Sequence, residues 1–324
     1  MFWLSIVIGT LDLSPMEVYE YLYEIITGTI SEDDWYDAHI IWDYRVPRAL
    51  LGIVCGAALG LCGAVMQSVM KNPLADPYTT GVSSGALFGV SISAAVGLSV
   101  WKGGFSFGLT VINTLVFSMV PVFLIIAFAP FFRKSPSTLI LTGVAVSYLF
   151  NAATTLLLVT SGEETLASVY RWQIGSLEGL SWNSLPLVTV VTVLGFIIIL
   201  PLSKKLNLMA LDDKDAKSLG LNTDLMRIIC LLLIAVVSGT VICYLGIIGF
   251  VGLVIPHITR LIIGSDNKYI IPASGALGAV FLLGCDVITR ALAITAEIPV
   301  GVVTGLLGAP LFLYLIIISK KKVW

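Results

Sequence analysis

Apolar residues run along this chain in blocks of about twenty, the length that lets an α-helix cross a bilayer, and short polar stretches separate the blocks. The two-residue alternation of a membrane barrel strand is absent. The blocks predict helical spans over 50–70, from the Gly81–Gly85 stretch onward, back to residue 131, and over 137–160, 185–202, 224–245, 246–263, 271–289 and 299–319. Residues 1–10 form an apolar run too short to cross alone, so the first of about ten spans is short. Residues 13–44 are polar, acidic and aromatic and read as an outer loop or surface helix beginning at Ser14-Pro15. The segment 163–182 is too polar to cross and reads as an outer interfacial helix and turn, with Trp172 and Trp182 as anchors. The expected architecture is an all-α integral membrane protein forming one transmembrane domain over 1–324.

The one long charged interruption is 203–222, SKKLNLMALDDKDAKSLGLN. Asp212 suits an N-cap, Asp215 follows three residues on as in a capping box, and Gly220 stands where a left-handed C-terminal glycine belongs. Ala216 and Leu219, with Leu211 just ahead, give this short helix one apolar edge. Two readings fit: a solvated connector, or a plug that enters a partner's socket.

Composition supports the membrane assignment. The 324 residues are 57% hydrophobic and 12% charged, with mean hydropathy +0.99, against roughly 25% charged for a soluble domain. Arg133 and Lys134, Lys204 and Lys205, and Lys320 to Lys322 mark the cytoplasmic side and place the C-terminus there, while Glu17, Glu20, Glu24, Glu32, Asp33, Asp34, Asp37, Glu163 and Glu164 fall opposite. Arg45, Arg48 and Arg290 break that rule. They either snorkel to head groups or bind an acidic partner. The five cysteines lie in apolar runs without ligand spacing, which predicts buried small hydrophobes and no metal site. Glycines and alanines crowd 50–70, the pattern of a helix enclosed by others. On the fifth span Gly143, Ser147, Asn151 and Thr155 recur every four residues and share one face, which looks at a wet path or a packed helix. No phosphate-binding GxxxxGK[ST] loop occurs, so any ATP chemistry belongs to a partner.

RVPR at 45–48, GAVMQSVMKNPLADPYTTGVSSGA at 63–86, WQIGSLEGLSW at 172–182, GFVGLVIPHITR at 249–260 and EIPVGVVTGLLGAPLFLYLI at 297–316 resemble the permeases of type II ABC importers for iron-siderophore complexes, haem and cobalamin. The resemblance covers nearly the whole chain and departs only at the short first helix. Its motif positions include Gln67, Asn72, Pro73, Asp76, Pro77, Gly85, Pro256, His257, Arg260, Pro299 and Pro310. It implies a homodimer of ten-helix subunits in the cell membrane, two ATP-hydrolysing subunits and an extracytoplasmic binding protein, with no cofactor and no nucleic acid. It further implies that Leu211, Asp212, Asp213, Ala216, Leu219 and Gly220 couple to the ATPase. Arg45, Arg48 and Arg290 would dock the binding protein. Gly143, Ser147, Asn151, Thr155, Gly301, Thr304, Gly305 and Gly308 would line the path between spans five and ten.

The rival reading is a secondary transporter driven by an ion gradient, for which Asp286 is the nearest intramembrane acid. A membrane enzyme has less support, because His257 has no carboxylate or cysteine partner at suitable spacing.

Overall fold

In the computed structural model the described residues are 1–9, 13–31, 34–98, 104–128, 136–293 and 298–319. Lys102, Arg133, Lys134, Lys320 to Lys322, Glu32, Asp33 and Glu297 lie outside them. The described chain is helical throughout. Short α1 (Phe2–Val7) and amphipathic α2 (Pro15–Thr27) come first. α2 starts where Ser14-Pro15 predicts, with a complete Ser14/Glu17 capping box.

The second span differs from expectation. α3 (Trp35–His39), a π-turn at Ile40–Arg45 and α4 (Val46–Met70) join into one 36-residue helix, so the crossing begins well before residue 50. Trp35, Tyr36 and Tyr44 stay exposed, and the face that anchors the extension is Ile41 and Val46, packed with Ile6 of α1 and Val18 of α2. Then follow α5 (Val82–Ala95), α6 (Gly104–Phe128), α7 (Pro136–Val159), α8 (Glu163–Ile174) and α9 (Leu185–Ile199). Through a 3₁₀ turn at Leu200–Leu202, α9 runs into α10 (Ser203–Leu208), so the first residues of the charged island extend the sixth span. α11 (Asp213–Ser218), α12 (Thr223–Leu245), α13 (Val251–Ile263), α14 (Asn267–Ala291) and α15 (Val300–Ser319) complete the order.

Among the described residues seven helices are long and apolar enough to cross a membrane, with α5 and α13 shorter. Those seven, the two shorter helices and α1 account for the expected ten. α4 is the most enclosed of the long helices. Its glycines allow backbone contact with α14 and α13. A Cβ on Gly56 would stand 2.3 Å from the Gly278 carbonyl oxygen, one on Gly60 2.1 Å from that of Ser274, and one on Gly63 1.9 Å from that of Gly252. All five cysteines are buried free thiols within the helices. Trp172, expected at the interface, is a core residue, and its carbonyl closes on Gly246. Trp182 is half-buried beside Trp42, whose carbonyl accepts from its indole.

Candidate functional site: the coupling loop and the path helices

At one end of the bundle, α11 assembles much as its sequence reads. Asp212 occupies the N-cap position, although its side chain makes no cap hydrogen bond. At the other end of the helix Gly220 has φ +85°, its amide donates to the Lys217 carbonyl, and the Leu221 amide donates to that of Ala216, a complete Schellman closure. The apolar edge divides in two. Ala216 is fully buried and seats the helix, whereas Leu219 is 61% exposed and Leu211 42% exposed. The loop therefore holds on with Ala216 and presents two leucines outward.

Charges fix it in place. Asp213 Oδ1 accepts from Arg227 of α12 at 2.7 Å and from Lys71, the residue ending α4, at 2.9 Å. Lys71 Nζ also donates to the Leu211 carbonyl. These two cations hold the Asp213 carboxyl down at about 2. Together Lys71, Asp212, Asp213, Lys214 and Asp215 line a depression beside the exposed leucines. A second network fastens α10. Arg260 donates to Ser68 Oγ at 2.9 Å, Ser68 donates to Asn267 Oδ1 at 2.7 Å, and Asn267 donates through its amide and side chain to Asn207 Oδ1 at 2.9 Å. Asn207 in turn donates to Asp266 at 2.8 Å. Sequence reasoning missed Lys71, Arg227, Asn207, Asp266 and Asn267. Lys71 lies in the 63–86 motif and Asn207 in the charged island, while Arg227, Asp266 and Asn267 stand out only as polar residues near the ends of apolar blocks.

The other motif residues build the frame around this loop. Gln67 donates to the Leu253 carbonyl at 3.0 Å. Asn72 Oδ1 accepts the Leu74 amide, which folds the turn carrying Pro73. Asp76 accepts the Tyr78 amide at 2.7 Å and caps the 3₁₀ helix Pro77–Thr80, while burial pushes its carboxyl up to about 6. Pro77 lies against Gly252, Gly85 backs onto the Phe117 carbonyl, and Pro256 is buried within α13. His257 is buried with its ring edge-on to Phe312, which agrees with a structural role. Pro299 leads into α15, where its carbonyl accepts the Val302 amide, and Pro310 sits exposed within that helix.

The path set is not one surface. Gly143 is buried, since a Cβ there would stand 2.3 Å from the Thr79 carbonyl oxygen, and Ser147 is half-buried and bonds back to the Gly143 carbonyl. Asn151 and Thr155 are exposed. In α15, Gly301 abuts the Ile174 carbonyl, Gly308 abuts Phe250, and Thr304 is fully buried, bonding to Gly301. Gly305 alone of the four faces open space. Asn151, Thr155 and Gly305 remain available to line a path, and the other five pack helices.

At the opposite end of the bundle the three arginines are buried, not displayed. Arg48 and Arg290 hold Asp286 from both sides at 2.9 Å. Arg45 donates to the Ile6 and Val7 carbonyls, and Arg290 to those of Ser5 and Ile8, so both guanidinium groups cap the C-terminal end of α1. The expectation of projecting docking side chains thus meets an internal clamp, because the open carbonyls at the C-terminal end of α1 attract the cations.

The sequence pattern of the FecCD transport family matches residues 1–318. The cobalamin import system permease protein BtuC of Halobacterium salinarum is 36% identical, over 86% of this chain and 73% of its own length. The molybdate import system permease protein MolB of Haemophilus influenzae is 34% identical, over 98% and 92%. A solved inward-facing structure of a metal-chelate type ABC transporter aligns with a TM-score of 0.81 at 32% identity, covering 94% of this chain and 99% of that one. With this match spanning nearly every described helix, the chain belongs to the FecCD transport family and is a multi-pass permease of ABC importers.

Proposed function

We propose that the chain works as a homodimer that carries an iron-siderophore, haem or cobalamin-type metal complex, delivered by an extracytoplasmic binding protein, across the cell membrane. ATP is hydrolysed by two separate subunits on the cytoplasmic side, where the loop after α10 and the C-terminus lie. The observation that carries this reading is the pair Leu211 and Leu219, exposed at the two ends of a short helix that is pinned to α4 and α12. Such a helix gives a partner apolar grip and transmits the partner's movement to the spans, because packed helices shift between discrete arrangements. The cobalamin relative and the metal-chelate structure support a metal complex as cargo, and the molybdate relative supports an oxyanion as the second reading.

The test is uptake into liposomes holding the permease, its ATPase and its binding protein, supplied in turn with cyanocobalamin, haem, a ferric hydroxamate and molybdate. ATP-dependent accumulation of one of the first three is expected. Accumulation of molybdate alone would replace the metal-complex reading, and uptake driven by an ion gradient without ATP would restore the secondary-transporter rival.

A further inference from the structure

Residues 71–81 form a strap pinned at both ends. At its start Lys71 has φ +50°, a left-handed backbone that a residue with a Cβ adopts only when its surroundings hold it there. It is the C-terminal closure of α4, where the Lys71 and Asn72 amides donate to the Gln67 carbonyl, and it aims the side chain at α11: the ammonium donates to the Leu211 carbonyl and to Asp213, itself shared with Arg227. From there the strap is internally braced. The Ala75 amide donates to the Asn72 carbonyl, the Tyr78 amide to Asp76, and Thr79 and Thr80 hydroxyls to the Asp76 and Pro77 carbonyls. Its far end touches two moving candidates. The Thr79 carbonyl sits directly over Gly143 of α7, and Gly81 lies against Ser147 of α7 and Pro121 of α6. Tyr78 donates to the Ile248 carbonyl in the linker between α12 and α13, beside Phe250, which has φ +69° and rests on Gly308 of α15. One braced segment thus connects the exposed loop to both helices that present Asn151, Thr155 and Gly305.

We propose that Lys71 is a positioning residue for coupling: its ties to Leu211 and Asp213 transmit displacement of α11 through the strap to α7. The proposal rests on the importer reading above, with Leu211 and Leu219 as the surface the ATPase grips. Lys71 is partly buried and its ammonium is engaged by the Leu211 carbonyl and Asp213, so although it lines the depression beside the leucines, its role is the link between the docking element and the spans.

The experiment uses the assembled transporter carrying Asn151→Cys on α7, since the five native cysteines are buried and leave this thiol as the reporter. Its rate of maleimide labelling is measured without nucleotide and after trapping with ATP and vanadate, together with capture of the ATPase by the permease. Lys71→Gly keeps the left-handed backbone without strain and removes the ammonium, which protects folding. Lys71→Arg keeps a cation. The expected result is normal ATPase capture by both variants, loss of the nucleotide-dependent change in labelling for Lys71→Gly, and its retention in Lys71→Arg. A wild-type labelling change in Lys71→Gly would overturn the proposal. So would loss of ATPase capture in that variant, because Lys71 would then shape the docking surface. Failure of the unmodified permease to capture any ATPase would instead sink the importer reading.

Discussion

Single positions in this protein are decided by what an added or removed atom would meet. Leu219 projects and Ala216 is buried, so the two halves of the apolar edge respond differently to charge. Leu219→Glu is expected to abolish ATPase capture with an unchanged melting temperature, whereas Ala216→Glu lowers the melting temperature as well, which thermal unfolding in detergent separates. Gly63→Ala places a methyl group against the Gly252 carbonyl and is expected to cost about 1–3 kcal/mol of stability, read from the same melts. Asp286 answers the secondary-transporter rival. A proton carrier exchanges with water, but this carboxylate is fully buried between Arg48 and Arg290. Asp286→Asn leaves two buried cations short of their anion and is expected to destabilise by about 3–5 kcal/mol.

Helices and loops show which parts of the design could be read in the chain. The seven long spans among the described residues follow from runs of apolar residues, a local property, and the Gly220 closure follows from glycine's freedom at positive φ. The second helix starts before residue 50 because Ile41 and Val46, scattered among the exposed Trp35, Tyr36 and Tyr44, find Ile6 and Val18 to pack against, contacts that the local run of polar and aromatic residues does not signal. The eight-residue path set was over-read for a related reason. A glycine or threonine at helical spacing signals close packing as well as an open face, and only neighbours distant in sequence, such as Thr79 for Gly143 and Ile174 for Gly301, distinguish the two. The α11 loop also carries a pH signature. Arg227 and Lys71 hold the Asp213 carboxyl at about 2, below its value of roughly 4 in an unfolded chain, so its contribution to loop stability is complete above that value and is lost as pH falls toward 2. Pepsin cleavage at Leu211 and Leu219, measured relative to an unstructured peptide at each pH, is expected to accelerate as pH falls from 4 to 2, and Asp213→Asn is expected to remove that relative pH dependence while cleaving readily throughout.

Taken as a whole, the described molecule encloses α4 and leaves α7 and α15, like α9, with exposed faces, which accommodates the proposed path between α7 and α15. In the proposed dimer the faces of α7 and α15 meet water and each other, whereas the exposed face of α9 meets lipid. Thr155→Cys is expected to react quickly with a small hydrophilic thiol reagent and Ile197→Cys slowly; equal rates would remove α7 from the path. The clamp at the opposite end has a further consequence for how the protein is made. Arg48 finds its anion 238 positions later in Asp286, and α1 receives its cap from Arg290, 285 positions after Ser5. While the ribosome is still producing the middle of the chain, the amino-terminal helix has only the Arg45 half of its cap and Arg48 on the second span lacks its anion. The last third of the polypeptide completes the first, so a synthesis that stops early leaves a membrane intermediate recognisably unfinished to the cell's quality-control proteases.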